Sequence, residues 1–180
     1  MVVSAFTLAK RWLVALGVAT LLPGMDARAA SPVEDSAKAG FIFNFAKYTE
    51  WPGTQAGRDL LICSLHEHPL SGKLEELEGR QVQGRAIRVR APTTLNEWRG
   101  CQVLFIAEDD AQRIDSVLRQ VGQYPVLTIS DSPGFAQAGG GIELKLRTGR
   151  IRFDINNGAT RQSALKFSSQ LLKLADEVLP

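Results

Sequence analysis

The sequence predicts an α/β fold: a three-layer Rossmann-like sandwich with a mixed sheet, a C-terminal β-hairpin and a closing helix. Three observations predict it. Through the first two thirds of the chain, short apolar runs of strand length alternate with segments of helical periodicity, the pattern of helices packed on a sheet. After Gly139-Gly140-Gly141 the rhythm becomes strictly period two around a Thr148-Gly149 turn, a hairpin signal. A final amphipathic stretch reads as one helix from about Ala159 to Glu177.

The chain opens with a secretory signal peptide over residues 1–29. Lys10 and Arg11 form its basic region, Trp12 to Leu22 its apolar run, and Ala27-Arg28-Ala29 its cleavage site. The run is too short to span a bilayer. The mature chain, residues 30–180, reads as a single domain in the periplasm. Of 21 Lys+Arg and 19 Asp+Glu, cleavage removes Lys10, Arg11, Arg28 and Asp26, leaving 18 of each. A neutral domain with no basic stripe is a poor candidate for nucleic acid, and no segment after cleavage inserts into a membrane.

The elements follow in order. Ser31-Pro32 precedes a helix from about Val33 to Thr49, with Ala37, Phe41, Phe45 and Tyr48 on one stripe and Phe43 on the other side. Trp51-Pro52-Gly53 stops it. Residues 59–64 form a buried strand, Pro69 to Gly79 a helix, Arg85 to Arg90 a strand with one wet face, and Gln102 to Ala107 the clearest buried strand. Asp109-Asp110 opens a helix running to about Val121, its carboxylates complementing the positive helix end. Pro125 to Ser130 is a further strand, after which Ser132 is placed to cap a short helix with Pro133 at its first position. Ile142 to Leu146 and Ile151 to Ile155 form the hairpin.

The catalytic signals are thin. Cys63-x2-His66-x-His68 lacks the ligand count of a metal site, so His66 and His68 read as surface loop residues. The three glycines lead into a strand, whereas a phosphate cradle leads into a helix. No catalytic residue, metal or cofactor is expected. Cys63 and Cys101 in an oxidising compartment form a candidate disulfide, worth roughly 4 kcal/mol in the chain-entropy model. The alternative is two free thiols, since one cysteine sits late in a strand and the other just before one.

The segments Lys38 to Pro52, Gly100 to Ile106, Val126 to Phe135 and Ile151 to Asn156 resemble, in order and spacing, the signature motifs of the YfiR-like family of periplasmic proteins. The resemblance covers nearly all of the mature chain. It implies a non-enzymatic regulator that binds the periplasmic domain of an inner-membrane diguanylate cyclase and lowers cyclic-di-GMP signalling and biofilm formation. It also implies a homodimer and a Cys63–Cys101 disulfide, these two matching one of the family's cysteine pairs. A second pair found in the family's hairpin region is absent, as residues 140–147 hold no cysteine. The competing reading is a periplasmic small-ligand-binding or sensor protein with a pocket at the strand ends. A hydrolase or transferase is weaker, for want of a catalytic constellation.

The expected partner-binding residues are Ile42, Phe43 and Trp51, with Arg150 and Arg152 on the hairpin as the next candidates. Phe43 lies roughly 160° around the helix from Phe45 by the 100° step. One core cannot easily cover both, so the outer aromatic is expected to seek a protein surface.

Overall fold

The computed structural model describes residues 31–53, 58–94 and 96–180; the signal peptide lies outside the described residues. The elements run α1 (Pro32–Lys47), β1 (Thr49–Glu50), β2 (Leu60–Leu65), α2 (Pro69–Glu75), β3 (Gln81–Val82), β4 (Arg85–Thr93) and β5 (Val103–Ile106). A 3₁₀ segment (Glu108–Arg113) leads into α3 (Ile114–Val121) and β6 (Leu127–Ser130). Then come β7 (Ile142–Arg147), β8 (Arg150–Asn156), α4 (Asn157–Gln162), β9 (Lys166–Phe167), α5 (Ser169–Leu174) and β10 (Glu177–Leu179).

Eight strands form one mixed sheet in the order β10-β8-β7-β6-β5-β2-β4-β3. The five strands from β4 to β7 in that order run parallel, and β8 turns back antiparallel to β7. The chain goes outward from β2 to β4 and returns past β2 to β5, so strand order reverses between β2 and β5. In open α/β sheets, polar sites gather at the carboxyl ends beside such a reversal.

Both faces of the sheet are covered, which explains why β5 is apolar throughout and why β2 and β6 are buried along nearly their whole length. On one face α1 and α2 bring Ile42, Phe45, Leu70 and Leu74 against Leu60, Ile62, Val103 and Phe105. On the other, Ile114, Val117 and Val121 of α3 pack with Trp98, Phe135 and both cysteines against Leu65, Leu104 and Ile106. The result is the three-layer sandwich the sequence predicts.

Local chemistry sets the boundaries. Ser31 caps α1, accepting from the Glu34 amide, with Pro32 in the first turn. His68 caps α2 through its ring, accepting from the Leu70 amide. Gly139 has φ +100°, open only to glycine at low cost. At Gly140 the need is space: an added Cβ would sit 2.1 Å from the buried Phe135 ring.

Three expectations are corrected. The closing helix from Ala159 to Glu177 is broken into α4, β9, α5 and β10. Ala164 takes φ +58°, and Ser168 starts a new helix by accepting from the Leu171 amide. Glu177–Leu179 then finds a better use for its backbone groups, pairing parallel with Asp154–Asn156 of β8. Ser132-Pro133 opens turns rather than a helix, because Gly134 takes φ +79°, outside the right-handed helical region. On α1 the buried stripe is Asp35, Lys38, Ala39, Ile42, Phe45 and Ala46, rotated from the Ala37/Phe41/Phe45/Tyr48 stripe. α1 is covered on two sides, by the sheet and by α2, so a wider arc is buried than one core would demand.

Candidate partner-binding surface

The hairpin β7–β8 is amphipathic across its two faces. Residues directly opposite in an antiparallel pair share a face. Leu144 opposite Phe153 and Leu146 opposite Ile151 lie toward α1, where the Phe153 ring meets those of Phe45 and Phe41 at 4.9 and 6.0 Å. The other face carries Glu143 opposite Asp154, Lys145 opposite Arg152 and Arg147 opposite Arg150. Four cations thus stand in two in-register like-charge pairs, an arrangement that is unfavourable by itself. Two carboxylates answer them: Lys145 donates to Asp154, and Arg152 to Asp176. The Arg152 hydrogen bond, aided by the positive field of Arg152, Lys145 and Arg147, holds the Asp176 carboxyl below its ordinary value. Arg147 and Arg150, at the exposed tip, form no ion pair among the described residues.

Of the five expected contact residues, three present surface. Arg150 and Arg152 are exposed on the hairpin, and Phe43 is half-buried with the Arg80 guanidinium 3.8 Å above its ring. Ile42 and Trp51 do not. Ile42 is 0 % exposed and faces the core, and Trp51 is 7 % exposed, its indole N–H donating to the Gln102 carbonyl at 3.2 Å. The reason is the second layer: α2 covers the flank of α1 that angular reasoning leaves bare. The two sets of residues are not brought into one patch by the buried anchors.

At the carboxyl edge of the parallel strands, polar groups pair with one another. His66 follows β2 with φ +56°. Its Nδ1 lies 3.0 Å from the buried Asp110 carboxylate, which also accepts from Arg113 at 2.6 Å. Lys38 reaches from α1 to Asp131, just after β6, at 2.6 Å and to Glu34 at 2.9 Å. Burial alone would lower the Lys38 pKa, but the hydrogen bonds to Asp131 and Glu34 more than offset it and hold the ammonium above its ordinary value. The second Asp131 oxygen accepts from the Glu108 amide, tying the 3₁₀ segment to the same edge. These pairs can lock α1 and the loops onto the sheet. Among the described residues no three His, Cys, Asp or Glu side chains gather as a metal site. Sequence reading missed Lys38 and Asp131; the one signal was a lysine at a helical position flanked by apolar neighbours on the buried side.

Cys63 within β2 and Cys101 before β5 form a disulfide with Cα atoms 6.0 Å apart, within the usual range. β5 enters the sheet opposite Ile62, so Cys101, two residues before it, comes beside Cys63, which answers the geometric objection. Denatured, unreduced protein isolated from its host is expected to take up no thiol label, and two labels per chain after reduction. Two labels without reduction would mean that the bridge does not form.

A family described as YfiR/HmsC-like matches residues 35–176. That span takes in α1 from Asp35 onward, every strand except β10, the disulfide and the charged hairpin, and the chain belongs to the YfiR/HmsC-like family.

Proposed function

We propose that this chain is a periplasmic regulatory protein that binds the periplasmic domain of an inner-membrane diguanylate cyclase and holds the enzyme inactive. The observation that carries the reading is the family match over residues 35–176. Two features of the molecule support it. The buried disulfide suits an oxidising compartment, and the hairpin offers Arg150 and Arg152 on an exposed face suited to a protein partner. Phe43, half-exposed on α1, is a second contact point, and the protein acts as a homodimer without catalytic chemistry of its own. Removing the protein from its host is expected to raise cyclic-di-GMP several-fold, and supplying it in trans to restore the low level. Unchanged cyclic-di-GMP in both strains would overturn the regulatory reading.

One observation favours the second reading, a small-ligand sensor. A cleft of about 400 Å³ opens at the carboxyl edge beside Lys38, Glu108, Asp131 and Lys145. Lys38 and Asp131 are already paired with one another and Lys145 with Asp154, which leaves Glu108 and Arg147 as the charged groups for a small ligand to meet.

A further inference from the structure

The hairpin reaches beyond the sheet that carries it. Pairing of β7 with β6 ends at Glu143, opposite Ser130. Pairing of β8 with β10 begins only at Asp154. Between those points Leu144–Arg147 has β8 on one side and no strand on the other among the described residues. That open side is the wall of the cleft beside Lys38 and Asp131. A second groove, of about 520 Å³, lies on the α1 side of the tip, lined by Val33, Ala37, Phe41, Leu146 and Ile151. Glu34 and Leu146 line both hollows, so they are continuous around the edge of β7.

We infer that the free edge of β7 is the docking edge for an extended segment of the partner protein whose side chains alternate apolar and acidic. The inference rests on the regulatory reading and names the contact that reading needs. An unpaired strand edge is a ready template for another chain. A strand added there sends alternate side chains to the two faces of the hairpin. On one face they meet the apolar groove, where Val33 is 79 % and Leu146 38 % exposed. On the other they meet Arg147 and Arg150, the in-register pair at the tip, neither of which forms an ion pair among the described residues. Each face thus asks for one kind of side chain, and a single extended segment supplies both. Beside the cleft Lys38 bonds both Glu34 and Asp131 and offsets one of their two charges, so acidic side chains are called for only at the tip, by Arg147 and Arg150. The concave shape fits a protein segment better than a flat bilayer.

The probe is a ten-residue peptide of alternating leucine and glutamate, titrated into the purified exported protein, with amide hydrogen exchange as the structural readout. The peptide is expected to bind, to slow exchange within Leu144–Arg147, and to weaken at least tenfold in the Arg147→Glu/Arg150→Glu variant, whose melting should match the wild type. Equal binding of a leucine–lysine peptide, unchanged exchange at Leu144–Arg147, or undiminished binding by the variant would overturn the inference. So would recruitment of the protein to phosphatidylglycerol vesicles with no binding of the peptide, which would make the hairpin a lipid contact. In cells, the same variant is expected to lose repression of cyclic-di-GMP. A variant that represses like wild type overturns the docking edge. A wild-type protein that does not repress overturns the regulatory reading instead, and the peptide experiment still decides the edge.

Discussion

Phe45→Ala is expected to lower the unfolding free energy by about 3–5 kcal/mol, and Phe43→Ala by only about 1–2 kcal/mol. Phe45 is 1 % exposed and its ring sits 4.9 Å from that of Phe153, edge to face, beneath α1. Truncation removes the transfer term of a whole aromatic and leaves a cavity walled by Phe41, Phe153 and the strands, which cannot collapse without moving the helix. Phe43, two residues on, lies against the partly covered side and is capped by Arg80 at 3.8 Å. Its loss removes partial burial and a cation–π contact, and water can fill the space. Urea unfolding of both variants checks the ordering. Equal losses would mean that Arg80 and α2 seal Phe43 into the core. A small loss for Phe45 would mean that α1 is not fastened to the hairpin through Phe153.

The same pair shows what a sequence discloses about this fold. Period and length were enough for β2, β5, β6 and the hairpin, because a strand buried on both faces is mostly apolar, with small hydroxyl residues such as Ser64, Thr128 and Ser130 as the exceptions, and a hairpin with one charged face must alternate. α1 was legible in its ends, since Ser31-Pro32 and Trp51-Pro52 act locally. Its orientation was not. The 100° step says which residues share a side, but whether α2 also covers that side depends on residues 69–75, distant in sequence. Ile42 therefore went from expected anchor to core, and Trp51 with it. The C-terminal third misled for a related reason. Leu165, Leu171 and Leu172 fit a helical stripe, yet the edge of β8 offered backbone partners to Glu177–Leu179, and tertiary pairing outweighed local propensity. The cations of the hairpin were visible as Arg150 and Arg152. That Arg147 faces Arg150 needs the register, which follows from the two-residue Thr148-Gly149 turn.

Lys38→Met is expected to cost about 3–5 kcal/mol at neutral pH, an effect larger than its place on a surface-starting helix suggests. The Lys38 side chain is 7 % exposed and the Asp131 side chain 10 %, with Nζ 2.6 Å from the carboxylate. Removing the ammonium leaves Asp131 and Glu34 facing each other without a counter-charge, and the uncompensated charge is the main penalty rather than the lost pair. Lys38→Met/Asp131→Asn, which neutralises both partners, should therefore be more stable than Lys38→Met alone. The alkaline behaviour follows from the same geometry. Burial opposes the charged form, but the bonds to Asp131 and Glu34 outweigh it, so the folded pKa is raised above 10.5. A raised pKa means that the folded state holds the proton more tightly than the unfolded chain. The stabilisation is fully present below pH 10.5 and declines as pH climbs through the higher folded value. Melting curves from about pH 7 to 12 should show the wild type losing an increment of stability at the alkaline end that Lys38→Met never had, so that the two curves converge there. Parallel curves across the whole range would mean that Lys38 does not couple α1 to the end of β6, and that the pair is an exposed contact of little weight.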